Sequence, residues 1–296
     1  MFNFNLIWLF VLNQNVDTIT CECPDPSVIL PYGCTGCQYN YIECYGNNDF
    51  DLAEMFNKLS LTLEPEQKHF HRFKFNNTKV TEIKANTFMD IVFVEIYISD
   101  SNLIHIHPDA FMYTYNTTNK FSITNNSQLE PDTMYAVMSK FANATRIVEI
   151  NNAKFTMMPA NAFSNIELSI LQDLWIDSFE TTIGSHAISI NHIMSNAFAI
   201  DRPSNDSLVI NLNACWLNET SFEPGSLIGI NRPTTIWMQR QHGNIVYLPQ
   251  KVFHPFYMEN ELNTIDLSMN NGFDCQDCRS SWLKNGDLFK RNRTIL

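Results

Sequence analysis

The chain has 296 residues, enough for one large domain or two small ones with a substantial core. Its formal net charge is −12, from 19 Lys+Arg against 31 Asp+Glu. That balance argues against nucleic acid and anionic membranes, whose phosphates need a basic face. Along the chain, the opening MFNFNLIWLFVL has an apolar run of about seven residues, too short to span a bilayer and suited to a secretory signal. We take residues 1–20 as that signal. No later stretch approaches 18 consecutive apolar residues, so a secreted, extracellular protein without membrane insertion is expected. Sequons at Asn76, Asn116, Asn125, Asn143, Asn205, Asn218 and Asn292 are candidate glycosylation sites that fit the same compartment.

A cysteine-rich segment follows, predicted as an N-terminal cap over residues 21–69, with Cys21, Cys23, Cys34, Cys37 and Cys44 close together. Residues 70–274 then repeat a frame. FKFNNTKVTEIKANTF from Phe73 recurs as IYISDSNLIHIHPDAF from Ile96 and VEINNAKFTMMPANAF from Val148. Each unit opens on an apolar–x–apolar doublet. The doublets fall at Phe73/Phe75, Ile96/Ile98, Phe121/Ile123, Val148/Ile150, Leu174/Ile176, Ile210/Leu212, Ile236/Met238 and Ile265/Leu267, giving about eight units. Successive spacings are 23, 25, 27, 26, 36, 26 and 29 residues, mostly within the roughly 20–29 of a leucine-rich repeat. The long interval after Leu174 predicts an inserted loop, for which RPSN at Arg202–Asn205 supplies turn residues.

Doublet residues share one strand face and bury inward, while the residue between them faces outward. One such strand cannot bury its apolar side alone, so neighbours stack into a parallel sheet. The predicted fold class is therefore an α/β solenoid, a leucine-rich-repeat horseshoe with a parallel concave sheet. Phe88, Phe111, Phe163 and Phe253 are expected to fill the core from the opposite wall. The return segments hold too many Asn, Thr and Pro residues to suggest helices of 10–15 residues. The turn position usually held by Asn or Cys carries Thr78, Ser101, Asn126, Ala153, Phe179, Cys215, Gln241 and Asn270, of which Asn126, Cys215 and Asn270 match. Cys215 reads as a buried packing thiol.

Residues 275–296, with Cys275, Cys278 and Trp282 in NNGFDCQDCRSSWL, are expected to form a partial C-terminal cap, either reduced or cut short by an incomplete sequence. Cysteine-rich flanks at both ends resemble those of extracellular leucine-rich-repeat proteins. More narrowly, CPDPSVILPYGCTGC…IECYG, the acidic NNDFDLAEMF and the first two repeats through HPDAF resemble a group of secreted arthropod leucine-rich-repeat proteins. These are similar to the non-catalytic subunit of oplophorus luciferase, the luciferin 2-monooxygenase. The resemblance implies that Cys23 joins Cys37 and that Cys34 joins Cys44; it leaves Cys275 and Cys278 to pair with each other or with distant thiols. An odd thiol left after cap pairing, such as Cys21 or Cys215, permits a covalent dimer, so the oligomeric state stays open.

No phosphate-cradling glycine loop, G-x-S-x-G elbow or H-E-x-x-H occurs, and no carboxylate pair stands out. His69/His71 and His105/His107 alternate as strand ligands would, but by repeat position they read as solvated or packing residues. No metal, cofactor or active site is expected. The outward residues Lys74, Tyr97, Ser122, Glu149, Trp175, Asn211, Trp237 and Asp266 should line the concave sheet, the usual binding face of a solenoid. Sugars at Asn76 and Asn125 would crowd its early half. Its later half carries Trp175 and Trp237, with Asp173, Asp177 and Arg240 beside them, and large aromatics are typical interface anchors. The expected function is protein–protein recognition on this face by a secreted non-enzymatic protein, with an extracellular protein ligand or partner subunit. The alternative is a non-catalytic stabilising subunit of a secreted enzyme complex.

Overall fold

The structure is a computed structural model of the chain. It describes residues 24–36, 40–46, 50–76, 78–126, 128–138, 140–141, 145–151, 156–163, 172–177, 190–200, 203–274 and 276–284. The expected signal segment, residues 1–20, and Cys21, Cys23, Cys37 and Cys275 lie outside this range, as do Asn143 and Asn292.

The cap region holds α1 (Pro26–Ile29), β1 (Cys34–Gly36), β2 (Tyr41–Tyr45) and α2 (Leu52–Thr62). The first half of the body comprises β3 (His69–Asn76), β4 (Glu82–Ile83), β5 (Val92–Ser99), β6 (His105–Ile106), β7 (Lys120–Thr124), α3 (Pro131–Met138) and β8 (Ile147–Asn151). The second half comprises β9 (Met157–Met158), β10 (Asp173–Asp177), β11 (His192–Ile193), β12 (Leu208–Asn211), β13 (Thr234–Trp237), α4 (Gln250–Glu259) and β14 (Thr264–Asp266). A 3-10 helix, Cys278–Lys284, closes the end. Ten strands form one sheet in the order β1-β2-β3-β5-β7-β8-β10-β12-β13-β14. All of its pairs are parallel except β1 with β2, so the chain is a parallel-sheet β-solenoid.

All eight doublets stand in one register. Phe73 pairs with Ile96, and the series continues through Phe121, Val148, Leu174, Ile210 and Ile236 to Ile265. The described doublet side chains are buried, none more than 4% exposed. A one-residue slip would send every doublet to the solvent face, which is why so regular a pattern fixes one register.

The opposite wall is partly as expected. Phe88, Phe111, Phe163 and Phe253 are all buried, and Phe88 stacks on Phe111 with centroids 4.8 Å apart. Phe198, in SNAF, fills the same role and stacks on Phe163 at 5.8 Å. Short parallel ladders stitch this wall, β4 with β6 and β9 with β11. Its composition misleads about helices. Between β2 and β3 lies the 11-residue α2, and between β13 and β14 the 10-residue α4, despite Pro255 inside the latter. Local rules account for α2: the Asp51 carboxylate caps it by accepting from the N–H groups of Ala53 and Glu54, and Leu52, Met55, Phe56 and Leu59 bury one face. Phe56 then lies 4.7 Å from Phe88 and 5.5 Å from Phe73, sealing the first open end of the core. At the other end Trp282, 7% exposed, donates its indole N–H to the Leu248 carbonyl at 3.0 Å.

Five described turns after the strands follow one plan. Asp100, Asn125, Ala214, Arg240 and Met269, each two residues past its doublet, adopt left-handed φ between 48° and 65°. The next residue turns inward. Asn126 donates to the Ile98 and Thr124 carbonyls at 3.0 and 2.7 Å, and Asn270 donates to the Met238 carbonyl. Gln241, outside the Asn/Cys rule, does the same work: Nε2 donates to Leu212 at 2.7 Å and to Gln239 at 3.1 Å, while Oε1 accepts from the Leu217 N–H at 2.9 Å. Cys215 is buried here and donates its thiol to the Asn213 carbonyl at 3.4 Å.

Candidate binding face

The outer side of the sheet carries three rows set by register. The middle row runs Glu43, Lys74, Tyr97, Ser122, Glu149, Trp175, Asn211, Trp237, Asp266. Every residue expected on this face from the doublet rule therefore occupies its row, and Glu43 extends it into the cap. A second row, two residues earlier, runs Tyr41, Arg72, Glu95, Lys120, Ile147, Asp173, Val209, Thr235, Thr264. Asp177 registers with Asn151 in the third row.

The early half of the face is occupied by its own side chains. Arg72 bridges Glu95 at 2.7 Å and lies over the rings of Tyr41 at 4.8 Å and Tyr97 at 4.9 Å. Lys120 lies over the other side of this cluster, 5.1 Å from the Tyr97 centroid, and bridges Glu149 at 3.0 Å. The Ser122 hydroxyl donates to the same Glu149 carboxylate at 3.0 Å. Partial burial works against the charge on Arg72 and on Lys120, yet the carboxylate beside each outweighs it and raises both pKa values. Burial and the neighbouring Glu43 push the Tyr45 hydroxyl up to about 12.

The later half is built differently. Trp237 is half-buried, and Asn211 is buried with its amide oxygen accepting from the Asn213 N–H at 3.0 Å. Thr235 and Thr264 share a hydroxyl hydrogen bond of 2.9 Å, and the Gln239 amide donates to Asp266 at 2.7 Å. Arg240 lies beyond the rows, at a left-handed turn, with Nε 3.3 Å from the Met269 sulfur. On the adjoining turn edge the exposed Trp216 stacks on His242 at 4.1 Å. This pair was missed in the sequence because neither residue belongs to a doublet.

Cys34 and Cys44 form the disulfide that the resemblance implies, tying β1 to β2. Cys278 is exposed, and its expected partner Cys275 is not among the described residues. Asn76 ends β3 and Asn125 sits at the turn after β7, at the rim of the early half. Asn116, Asn125 and Asn205 are exposed, whereas Asn76 and Asn218 are half-buried. His69 and His71 lie in β3 itself, because that strand begins at His69; His105 is in β6, and His107 accepts from the Asp109 N–H at 3.1 Å. Among the described residues no three His, Cys, Asp or Glu side chains converge as a metal site would need. A groove of about 400 Å³ lies elsewhere, between Phe50–Ala53 and the return turn at 80–87, with Lys84 and Asp51 paired beside it at 3.5 Å. No protein-family model matches the chain, and neither does any curated protein sequence.

Proposed function

We propose that the chain is an extracellular leucine-rich-repeat protein, bent as a horseshoe, that recognises a protein partner on its concave sheet face without catalysing a reaction. The observation that carries this reading is the unbroken register of eight doublets, with a turn of one design after five of them, which gives the sheet a continuous outer face. Extracellular location is supported by the Cys34–Cys44 disulfide and by exposed Asn116, Asn125 and Asn205 in sequons. No helix among the described residues is long and apolar enough to cross a membrane. Within the face we assign docking to the later half, where Trp175 and Trp237 share the middle row with Asp173, Asp177 and Arg240 nearby. In the early half Arg72 pairs with Glu95 and Lys120 with Glu149, Lys74 and Glu43 both engage Tyr45, and two sequons lie at the rim.

The test begins with mass-spectrometric identification of proteins captured from the native fluid by the glycosylated chain. Affinity of the captured partner is then measured for Trp175→Ala and Trp237→Ala. A loss of about tenfold or more in each is expected of interface anchors. Unchanged affinity in both would overturn the assignment of the face.

A further inference from the structure

Charge is distributed unequally over the two halves of this face. On β2, β3, β5, β7 and β8 the rows hold three carboxylates, Glu43, Glu95 and Glu149, and three cations, Arg72, Lys74 and Lys120. Each cation lies over an aromatic ring: Arg72 over Tyr41 and Tyr97, Lys120 over Tyr97, and Lys74 over Tyr45 at 5.6 Å. On β10, β12, β13 and β14 the rows hold the other two components of such a layer. The aromatics are Trp175 and Trp237, the carboxylates are Asp173, Asp177 and Asp266, and no Lys or Arg is present in the rows.

The correspondence extends to one position. Arg72 has Glu95 beside it in register, and the strand that carries Glu95 brings Tyr97 two residues later. Val209 has Asp173 and Thr235 beside it, and their strands bring Trp175 and Trp237 two residues later. Val209 thus occupies the setting of Arg72 with an uncharged, half-buried side chain. An arginine arriving from outside would meet the half-buried Trp237 and Asp266, adjacent in the middle row, an aromatic and a carboxylate together, the pair of partners that favours guanidinium over ammonium. The excess of 31 acidic over 19 basic residues would further steer such a partner to the protein.

Resting on the recognition reading above, we propose that the partner is a protein that presents arginine, and secondarily lysine, side chains to this half of the sheet. They complete there the cation layer that the other half builds from its own residues.

The test uses the full glycosylated chain and a blocked hexa-arginine peptide as probe, with hexa-lysine and hexa-glutamate for comparison. Calorimetry at physiological salt should detect hexa-arginine, weaker hexa-lysine and no hexa-glutamate. Val209→Arg fills the layer from within and should weaken hexa-arginine binding about tenfold. The nearly isosteric Asp173→Asn and Asp266→Asn should each weaken it severalfold, which guards against a misfolded Val209→Arg. Glu82→Gln, on the return wall, should leave it unchanged. Absence of hexa-arginine binding, or equal weakening by Glu82→Gln, would overturn the proposal. A captured partner that depends on both tryptophans but ignores Val209→Arg and Asp173→Asn would overturn it too, while leaving the recognition reading intact.

Discussion

Replacing Gln241 isolates the energetic role of the inward-turning amide. Its side chain is fully buried and holds three backbone groups: the Leu212 and Gln239 carbonyls and the Leu217 N–H. Gln241→Met keeps the length and approximate volume while removing both the donor and the acceptor. The Gln239 carbonyl keeps the Ala214 N–H as donor at 2.9 Å, so two groups, the Leu212 carbonyl and the Leu217 N–H, are left buried and unpaired. At about 1–3 kcal/mol each, the loss amounts to roughly 2–5 kcal/mol. Gln241→Ala adds a cavity and should cost about 1–2 kcal/mol more. Gln241→Asn keeps the chemistry one methylene shorter and should recover much of the loss. Urea unfolding followed by circular dichroism gives the three differences, with the slope checked for constancy across variants. A Gln241→Met variant within about 0.5 kcal/mol of the parent would refute the reasoning, because the amide would then be a packing residue only.

Three further outcomes follow from other contacts. In Gly272→Ala the added Cβ would stand 2.4 Å from the Gly243 carbonyl oxygen, a backbone atom that cannot swing away. A loss of about 1–3 kcal/mol is expected in thermal or urea unfolding. Opening the Cys34–Cys44 bridge by a Cys34→Ser/Cys44→Ser double substitution removes a crosslink of sequence separation 10. The loop-entropy relation then gives a loss of about 3 kcal/mol, measurable by urea unfolding of the double variant against the oxidised parent. Glu223 accepts from the Ser195 N–H at 2.8 Å and from its hydroxyl at 3.1 Å, and lies 2.7 Å from His192. The Ser195 N–H first, then His192, hold its carboxyl below the ordinary 4.5. A depressed folded pKa gives stability that is complete above the unfolded value and fades as pH falls through the folded one. Acid unfolding of Glu223→Gln should therefore lose less stability below about pH 4.5 than the parent does.

The doublets were legible because two apolar residues at period two, recurring at a nearly fixed interval, have one way to bury together. Register, row membership and the closing phenylalanines followed from that single constraint. Phe198 sits in the same Asn-x-Phe frame as Phe88 and Phe163, but the long Leu174–Ile210 interval broke the count that would have placed it. The helix α2 carried its own signals, the Asp51 cap and the Leu52, Met55, Phe56, Leu59 spacing, which the Asn- and Pro-rich character of the other returns obscured. In α4, Pro255 pointed away from helix altogether, and tertiary packing of Val252, Phe253, Phe256 and Tyr257 prevailed. Gln241 was unreadable by type because the turn demands an amide reaching two carbonyls, and glutamine carries that amide on a side chain one methylene longer than asparagine's. The cation layer was invisible for another reason. Arg72, Tyr41 and Tyr97 lie in three separate turns, and their contact exists only once the register is known.

The most direct test of the recognition face is site-specific photo-crosslinking in the native fluid. A photoreactive residue is placed in turn at Thr235 in the later rows, at Thr124 in the early half and at Glu82 on the return wall. The account predicts that one partner protein is captured from position 235 and from neither of the others. Capture from position 82 or 124, with none from 235, would contradict it.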